Sequence, residues 1–269
     1  MGKDWKRIIG NLKSGNLEPF IYKAHKKYYQ LRDHKYTPIW EKDWDFLLIM
    51  DGCRLDYAKE EFTGDKYHVE STIAPGSSSR EWAEHFSEAP ELHDIVYVSA
   101  NPHISNEMIE ELAGQNPFFM IYDVWKSAWD EELGTVKAED LNEKLRKVKE
   151  MHPDKRIVAH YMQPHHPFIG EKRIDEEGFR FPGEMEEEKH DLVWDKIRDG
   201  EITVEEAQEA YRFNLKYIKA EIEDIVPELE GKTILTADHG NLFGERGMYA
   251  HPPGMQMKEL VEVPWIEVE

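Results

Sequence analysis

Two hydrophobic patterns alternate along this chain: short unbroken apolar runs, and longer stretches with apolar residues every three or four positions. The run at 44–50 ends in Asp51-Gly52, and similar runs occupy 94–99, 156–162 and 232–237. Continuous apolar runs of this length predict strands buried on both faces of a parallel sheet. Further strands are predicted at 67–73, 118–124 and 261–268. Helical spacing marks 78–86, 105–113, 138–151, 184–198 and 204–225, with Leu141, Leu145 and Val148 as one example of the stripe. Strand and helix alternation over such a length predicts a layered α/β fold with a largely parallel sheet. Residues 163–183, rich in Pro, His, Gly and Phe, predict a long functional loop.

Residues 1–40 stand apart from this pattern. Helical spacing runs through 5–35 with a break near Gly15-Asn16. Residues 1–36 carry nine Lys and Arg against three Asp and Glu, a net of +6, whereas the whole chain of 269 residues sums to −21. The rest therefore holds −27, which argues against a surface that binds nucleic-acid phosphates. A basic, aromatic-rich arm at 1–40 followed by one α/β domain at 41–269 is the expected organisation. The arm is expected to dock on the acidic body or a second subunit, or else on an anionic membrane or polymer. A single cysteine, Cys53, excludes an internal disulfide framework and a CxxC zinc site. No apolar run reaches the length of about 18 residues that a spanning helix needs. The N-terminus lacks the apolar segment of a secretory signal, so the expected compartment is the cytoplasm.

Chemistry-bearing residues gather at the predicted strand ends, where ligands bind in open α/β sheets. Asp51 follows the first strand, His165 and His166 follow the strand ending at Met162, and Asp238-His239 follows the strand at 232–237. Carboxylate and imidazole groups from three strands can thus converge on one edge.

These segments resemble the alkaline phosphatase superfamily, most closely its sulfatase-like branch. Asp51-Gly52-Cys53-Arg54-Leu55-Asp56 resembles the family's D-x-x-R-x-D opening, and 236–247 resembles its S-D-H-G-E-x-x-G-E-x-G segment. His165-His166-Pro167-Phe168 is similar to its H-x-P-F segment. The resemblance runs from about residue 44 to the C-terminus. It implies a three-layer α/β/α sandwich, Asp51, Asp238 and His239 as metal ligands, and His165 facing a substrate anion. It also implies a nucleophile within 76–82, Gly-Ser-Ser-Ser-Arg-Glu-Trp. Ser78 is the preferred nucleophile and further ligand, with Ser77 and Ser79 open. Ser78 and Glu81 also fit a helix capping box, a purely structural role compatible with the first. His251 corresponds to a late His or Lys that reaches the substrate or a second metal, and Asn101 is placed to touch the anion. Glu245, Arg246, Arg54 and Asp56 are expected to brace loops, and His160 to be a satisfied core residue. Cys53 lies outside the C-x-P-x-R pattern from which sulfatases make formylglycine, so it is expected to pack.

The activity so implied is metal-dependent hydrolysis of a phosphate ester or diester, with sulfate-ester hydrolysis or phosphoglycerol transfer as variants. The substrate is a small anionic ester, free or linked to a glycan or lipid. One or two divalent ions are implied. Mixed carboxylate and imidazole ligands suit Zn²⁺ or Mn²⁺, and an oxygen-rich site also admits Ca²⁺ or Mg²⁺. His165 and His251 would hold a second ion or, without one, bond the anion or protonate the leaving group. The competing expectations are a member of the fold that keeps the metal and lacks turnover, and a scaffold that acts through its basic arm.

Overall fold

The computed structural model describes residues 22–24, 26–28, 35–174 and 192–269. Seven strands form the main sheet: β1 (Phe46–Met50), β2 (Tyr67–Ile73), β3 (Leu92–Ser99), β4 (Phe118–Asp123), β7 (Arg156–Tyr161), β8 (Thr233–Thr236) and β11 (Glu262–Val268). Two short hairpins supply the remaining strands, β5 (Trp129–Asp130) with β6 (Thr135–Val136), and β9 (Leu242–Phe243) with β10 (Tyr249–Ala250). The main sheet has the order β2-β11-β8-β1-β7-β3-β4. β1 pairs in parallel with both β7 and β8, and β3 pairs in parallel with β7 and β4. β11 alone is reversed, lying antiparallel between β8 and β2.

Every residue of β1 is buried, and the strand's period of two divides them between two cores. Phe46, Leu48 and Met50 join the short helix α4 (Trp125–Ala128) and the helices α5 (Ala138–Met151) and α7 (Val204–Ile225) on one face. Leu47 and Ile49 join α2 (Ser79–His85) and α3 (Asn106–Ala113) on the other. The sheet is thus the middle of three layers, as the resemblance implies. The same alternation puts Val158 of β7 with Leu47 and Ile49. His160, two residues further on, pairs in register with Ile49 on the face that carries α2.

The boundaries of β2, α5 and α7 match the sequence reading, and α7 begins with a complete Thr203–Glu206 capping box. Nothing in the hydrophobic pattern predicts α1 (Leu55–Glu61), a two-turn helix that buries only Leu55, Tyr57 and Ala58. The helix predicted at 184–198 corresponds to α6 (Val193–Asp199), and 184–191 lie outside the described residues. Most of the basic arm also lies outside them. Of the arm's described part, the Tyr22 hydroxyl donates to the Pro253 carbonyl at 3.0 Å, and Tyr22 packs on a cluster formed by Leu242, Met248, Met257 and neighbours. Tyr36 meets the His85 ring edge-on, and Trp40 stacks on the same ring. Among the described residues no helix is long and apolar enough to cross a membrane.

Candidate metal centre

The site forms where β1, β8, β7 and β3 end beside the start of α2. Past Met50 the chain turns sharply, with Gly52 at φ 66, a left-handed conformation that a side chain would strain. Asp51 N–H still bonds the Tyr161 carbonyl at 3.3 Å, so its side chain continues the alternation of Leu47 and Ile49 toward the α2 face. Past β8, Gly240 passes so close to another segment that a Cβ there would lie 2.0 Å from the Glu259 carbonyl oxygen. The Gly240 N–H bonds the Leu260 carbonyl at 2.7 Å. The helix α7 fixes two of the loops from below. The Tyr211 hydroxyl donates to the Gly52 carbonyl and accepts from Arg54 N–H, both at 2.9 Å. Asn214, one turn along the same face, donates to the His165 carbonyl at 3.0 Å and accepts from Ile169 N–H at 3.1 Å. Arg54 forks onto Asp56 and reaches the Asn241 carbonyl and Glu245, bracing the first loop against the glycine-rich one.

Asp51, Asp238 and His239 are buried, and each offers one ligand atom within 4.8 Å of the others. His239 Nδ1 lies 2.7 Å from the Gly240 carbonyl, which accepts only if that nitrogen carries the hydrogen. In the neutral ring this leaves a lone pair on Nε2, 3.4 Å from Asp238 Oδ2 and 3.5 Å from Asp51 Oδ1. Asp238 Oδ1 accepts from Gly52 N–H and His239 N–H at 3.2 and 3.0 Å. Asp51 Oδ1 is buried with no hydrogen-bond partner. Burial and the neighbouring Asp51 charge push the Asp238 carboxyl up. For Asp51, burial acts in the same direction, but the imidazoles of His165, His239 and His160 hold it below the usual carboxylate range. Two carboxylates, one unpartnered oxygen and an imidazole lone pair aimed between them fit a divalent cation, which would relieve the repulsion.

Of the three consecutive serines, it is Ser79 that enters this cluster. Its Oγ donates to Asp238 Oδ2 at 2.7 Å and lies 3.3 Å from His239 Nε2 and 3.4 Å from Asp51 Oδ2. Ser78, preferred from the sequence, instead caps α2: its Oγ accepts from Glu81 N–H at 3.4 Å. Successive helical residues point about 100° apart, so a shift of one position exchanges the site for the cap. Ser77 Oγ faces Glu81 and the Pro252 carbonyl. Asn101 is where the sequence put it, at the end of β3, and its amide donates to Asp51 Oδ2 at 2.5 Å and to Ser79 Oγ at 3.1 Å.

Beside this cluster, His165 Nε2 and His251 Nε2 lie 2.8 Å apart. His165 Nδ1 faces the His166 carbonyl at 2.5 Å and so donates to it, which makes His251 Nε2 the donor of the shared hydrogen when both rings are neutral. Burial pushes His165 down to about 3 and His251 well below its ordinary value, so both are neutral at pH 7. His251 Nδ1 is then a buried lone pair with no partner. His166 packs instead, edge-on to Trp194.

His160 departs from the expectation of a satisfied core residue. The Trp82 indole donates to the Tyr97 hydroxyl at 3.2 Å, and that hydroxyl lies 2.8 Å from His160 Nδ1. Nε2 is left without a hydrogen-bond partner, 3.7 Å from both Asp51 and Asp238. Its placement comes from register, which one strand's sequence does not carry: His160 pairs with Ile49, two residues before Asp51. Cys53 is buried as expected, and burial pushes its thiol up, so it stays protonated.

The chain shares its fold with sulfatase-like members of the alkaline phosphatase superfamily. No family model and no curated protein matches it by sequence. Among solved structures it is similar to the soluble domain of lipooligosaccharide phosphoethanolamine transferase A from Neisseria meningitidis. That match has 14% identity and a TM-score of 0.57, and covers 83% of this chain and 75% of the other. The integral membrane form of the same transferase matches with 13% identity and a TM-score of 0.57, covering 99% of this chain, which spans 58% of that longer protein. The C-terminal periplasmic domain of phosphoethanolamine transferase EptC from Campylobacter jejuni matches with 14% identity and a TM-score of 0.52, over 82% of this chain and 77% of that domain.

Proposed function

We propose that the chain is a metal-dependent phosphoryl-transfer enzyme acting on phosphate esters or diesters through Ser79. The observation that carries this reading is the 2.7 Å hydrogen bond from Ser79 Oγ to Asp238, inside a buried cluster suited to a cation. Asp51, Asp238, His239 and Ser79 would hold the ion. Bound there, it would lower the serine pKa and neutralise charge on a non-bridging oxygen.

The chain's own groups supply the rest. Ser79 Oγ attacks phosphorus while its proton passes to Asp238 Oδ2, which already accepts its hydrogen bond. The Asn101 amide, bonded to both Ser79 Oγ and Asp51, fixes the angle of the attacking oxygen. As the P–O bond to the alcohol breaks, the neutral His251 is placed to hydrogen-bond the departing oxygen through its Nε2–H while that oxygen takes its proton from water, and His165, which accepts the same hydrogen in the resting site, orients the ring. The phosphoserine then passes its phosphoryl group to water or to a second alcohol. A transferase outcome has support in the phosphoethanolamine transferases whose fold the chain shares. Lipid- or glycan-linked acceptors, as in lipooligosaccharide, extend that reading.

Ser79→Ala tests it. Turnover of a chromogenic phosphodiester should fall by about three orders of magnitude or more, whereas Ser78→Ala should cost about 1 kcal/mol of stability through the lost cap and leave turnover measurable. Labelled phosphate trapped on Ser79 supports the reading, and wild-type rates in Ser79→Ala overturn it. Glycerol or ethanolamine added as acceptor separates transfer from hydrolysis by product analysis.

A further inference from the structure

A cavity of about 380 Å³ opens directly beside the imidazole pair, with His251 on its wall. Among the described residues its other walls include Tyr22, Tyr249, Met248, Pro252 and Arg198. We propose that this cavity is the subsite for the organic group of the ester and that it selects a ring with an apolar face that can stack, aryl or pyranosyl, in the alcohol. The proposal rests on the phosphoryl-transfer reading of the adjoining site.

Three observations converge on it. The first is continuity: His251 lines the cavity and shares a hydrogen bond with His165, so the cavity and the candidate site have an imidazole in common. The second is wall chemistry. Two tyrosines and a proline offer flat faces, and the Arg198 guanidinium lies 5.7 Å from the Tyr249 ring centroid. Such faces take up aromatic rings and the CH face of a sugar, and they contribute by stacking in addition to area. The third is rigidity. Tyr22 is tied down by its hydroxyl to the Pro253 carbonyl at 3.0 Å and by Lys26 Nζ, which donates to that hydroxyl at 3.3 Å. The loop carrying Pro252 and Pro253 is fastened to the serine turn from beneath. Met255 N–H donates to Ser77 Oγ at 3.1 Å, and Gly254 N–H donates to Glu81 Oε1 at 3.0 Å. Ser77 and Glu81 each lie two residues from Ser79, so the wall of the cavity and the attacking oxygen hold a fixed distance. Tyr22 comes from the basic arm, which thereby supplies a specificity determinant.

The test uses the full chain with excess divalent metal, titrated calorimetrically with phenyl phosphate and with methyl phosphate. Wild type should bind phenyl phosphate about tenfold more tightly, the scale of one aromatic contact and its buried area. In Tyr22→Ala that ratio should fall about three- to tenfold, toward one. Tyr249→Leu, a lining residue independent of the arm, should move it in the same direction. A wild-type ratio near one, or a ratio unmoved in both variants, overturns the subsite. The same proteins are then assayed with bis(4-nitrophenyl) phosphate. A binding preference that depends on Tyr22, together with no turnover by wild type, upholds the subsite and overturns the catalytic reading.

Discussion

Replacing Asp238 by Asn probes the metal centre without depending on an activity assay. Without a cation, Asp51 and Asp238 face one another in a dry site, with their ligand atoms no more than 4.8 Å apart. At that separation, and with an effective dielectric of about 20, the repulsion of two unit charges is about 3 kcal/mol. An asparagine keeps Oδ1, which accepts from Gly52 and His239 N–H. It replaces Oδ2 with an amide that can donate to Ser79 and Asp51. Metal-free Asp238→Asn should therefore be more stable than metal-free wild type by about 1–3 kcal/mol, or about 3–8 °C in melting temperature for a chain of this size. Metal reverses the order. At about 1,000 times its dissociation constant, a cation stabilises wild type by about 4.1 kcal/mol, and the variant, with a ligand lost, gains little. The assay is thermal unfolding in chelator and in excess Zn²⁺ or Mn²⁺. A variant that melts below wild type in chelator, or an equal gain from metal in both proteins, would refute the reasoning.

Three further outcomes follow from contacts described above. Asn214→Leu leaves the His165 carbonyl and the Ile169 N–H without their partner, so the urea midpoint should fall by the equivalent of about 2–3 kcal/mol. Gly240→Ala drives a methyl group into the Glu259 carbonyl and should displace His239, measured as a loss of bound metal in equilibrium dialysis. Burial lowers His85 from 6.5 to about 4, so the folded state favours the neutral ring. Its contribution is complete above pH 6.5 and is lost as pH falls from there toward 4. His85→Gln should flatten that part of the stability profile by about 1–2 kcal/mol in denaturant titrations at a series of pH values.

Legibility in the sequence followed the length of each pattern. α5 and α7 were readable to the residue because 14 and 22 positions repeat the helical stripe several times. β9 and β10 have two residues each and cannot show a period at all. The glycine-rich segment therefore read as a loop, although it folds back as a hairpin that carries Tyr249 and delivers His251. The reversal of β11 left no mark either, because an apolar strand reads the same in both directions. At the site, Asp51, Asn101, Asp238, His239, His165 and His251 were visible as strand-end or motif residues. Ser79 was not separable from Ser78, since neighbouring identical side chains are distinguished only by the rotation of a helix whose first turn is set by tertiary contacts. His160 was hidden for a similar reason: its role comes from register with β1, and register is a property of two strands.

The placement of β11 also governs the order in which the protein can be assembled as it is made. β2 is made well before its neighbour in the sheet, β11, with Ser71 and Glu262 191 positions apart. β8 likewise pairs with β1 on one side and waits for β11 on the other. Until that segment is delivered, the nascent chain presents the open ladder of β8 and an unpaired β2, both able to recruit strands from other chains. A chain stalled shortly before residue 262 should therefore aggregate more readily than one that has completed β11.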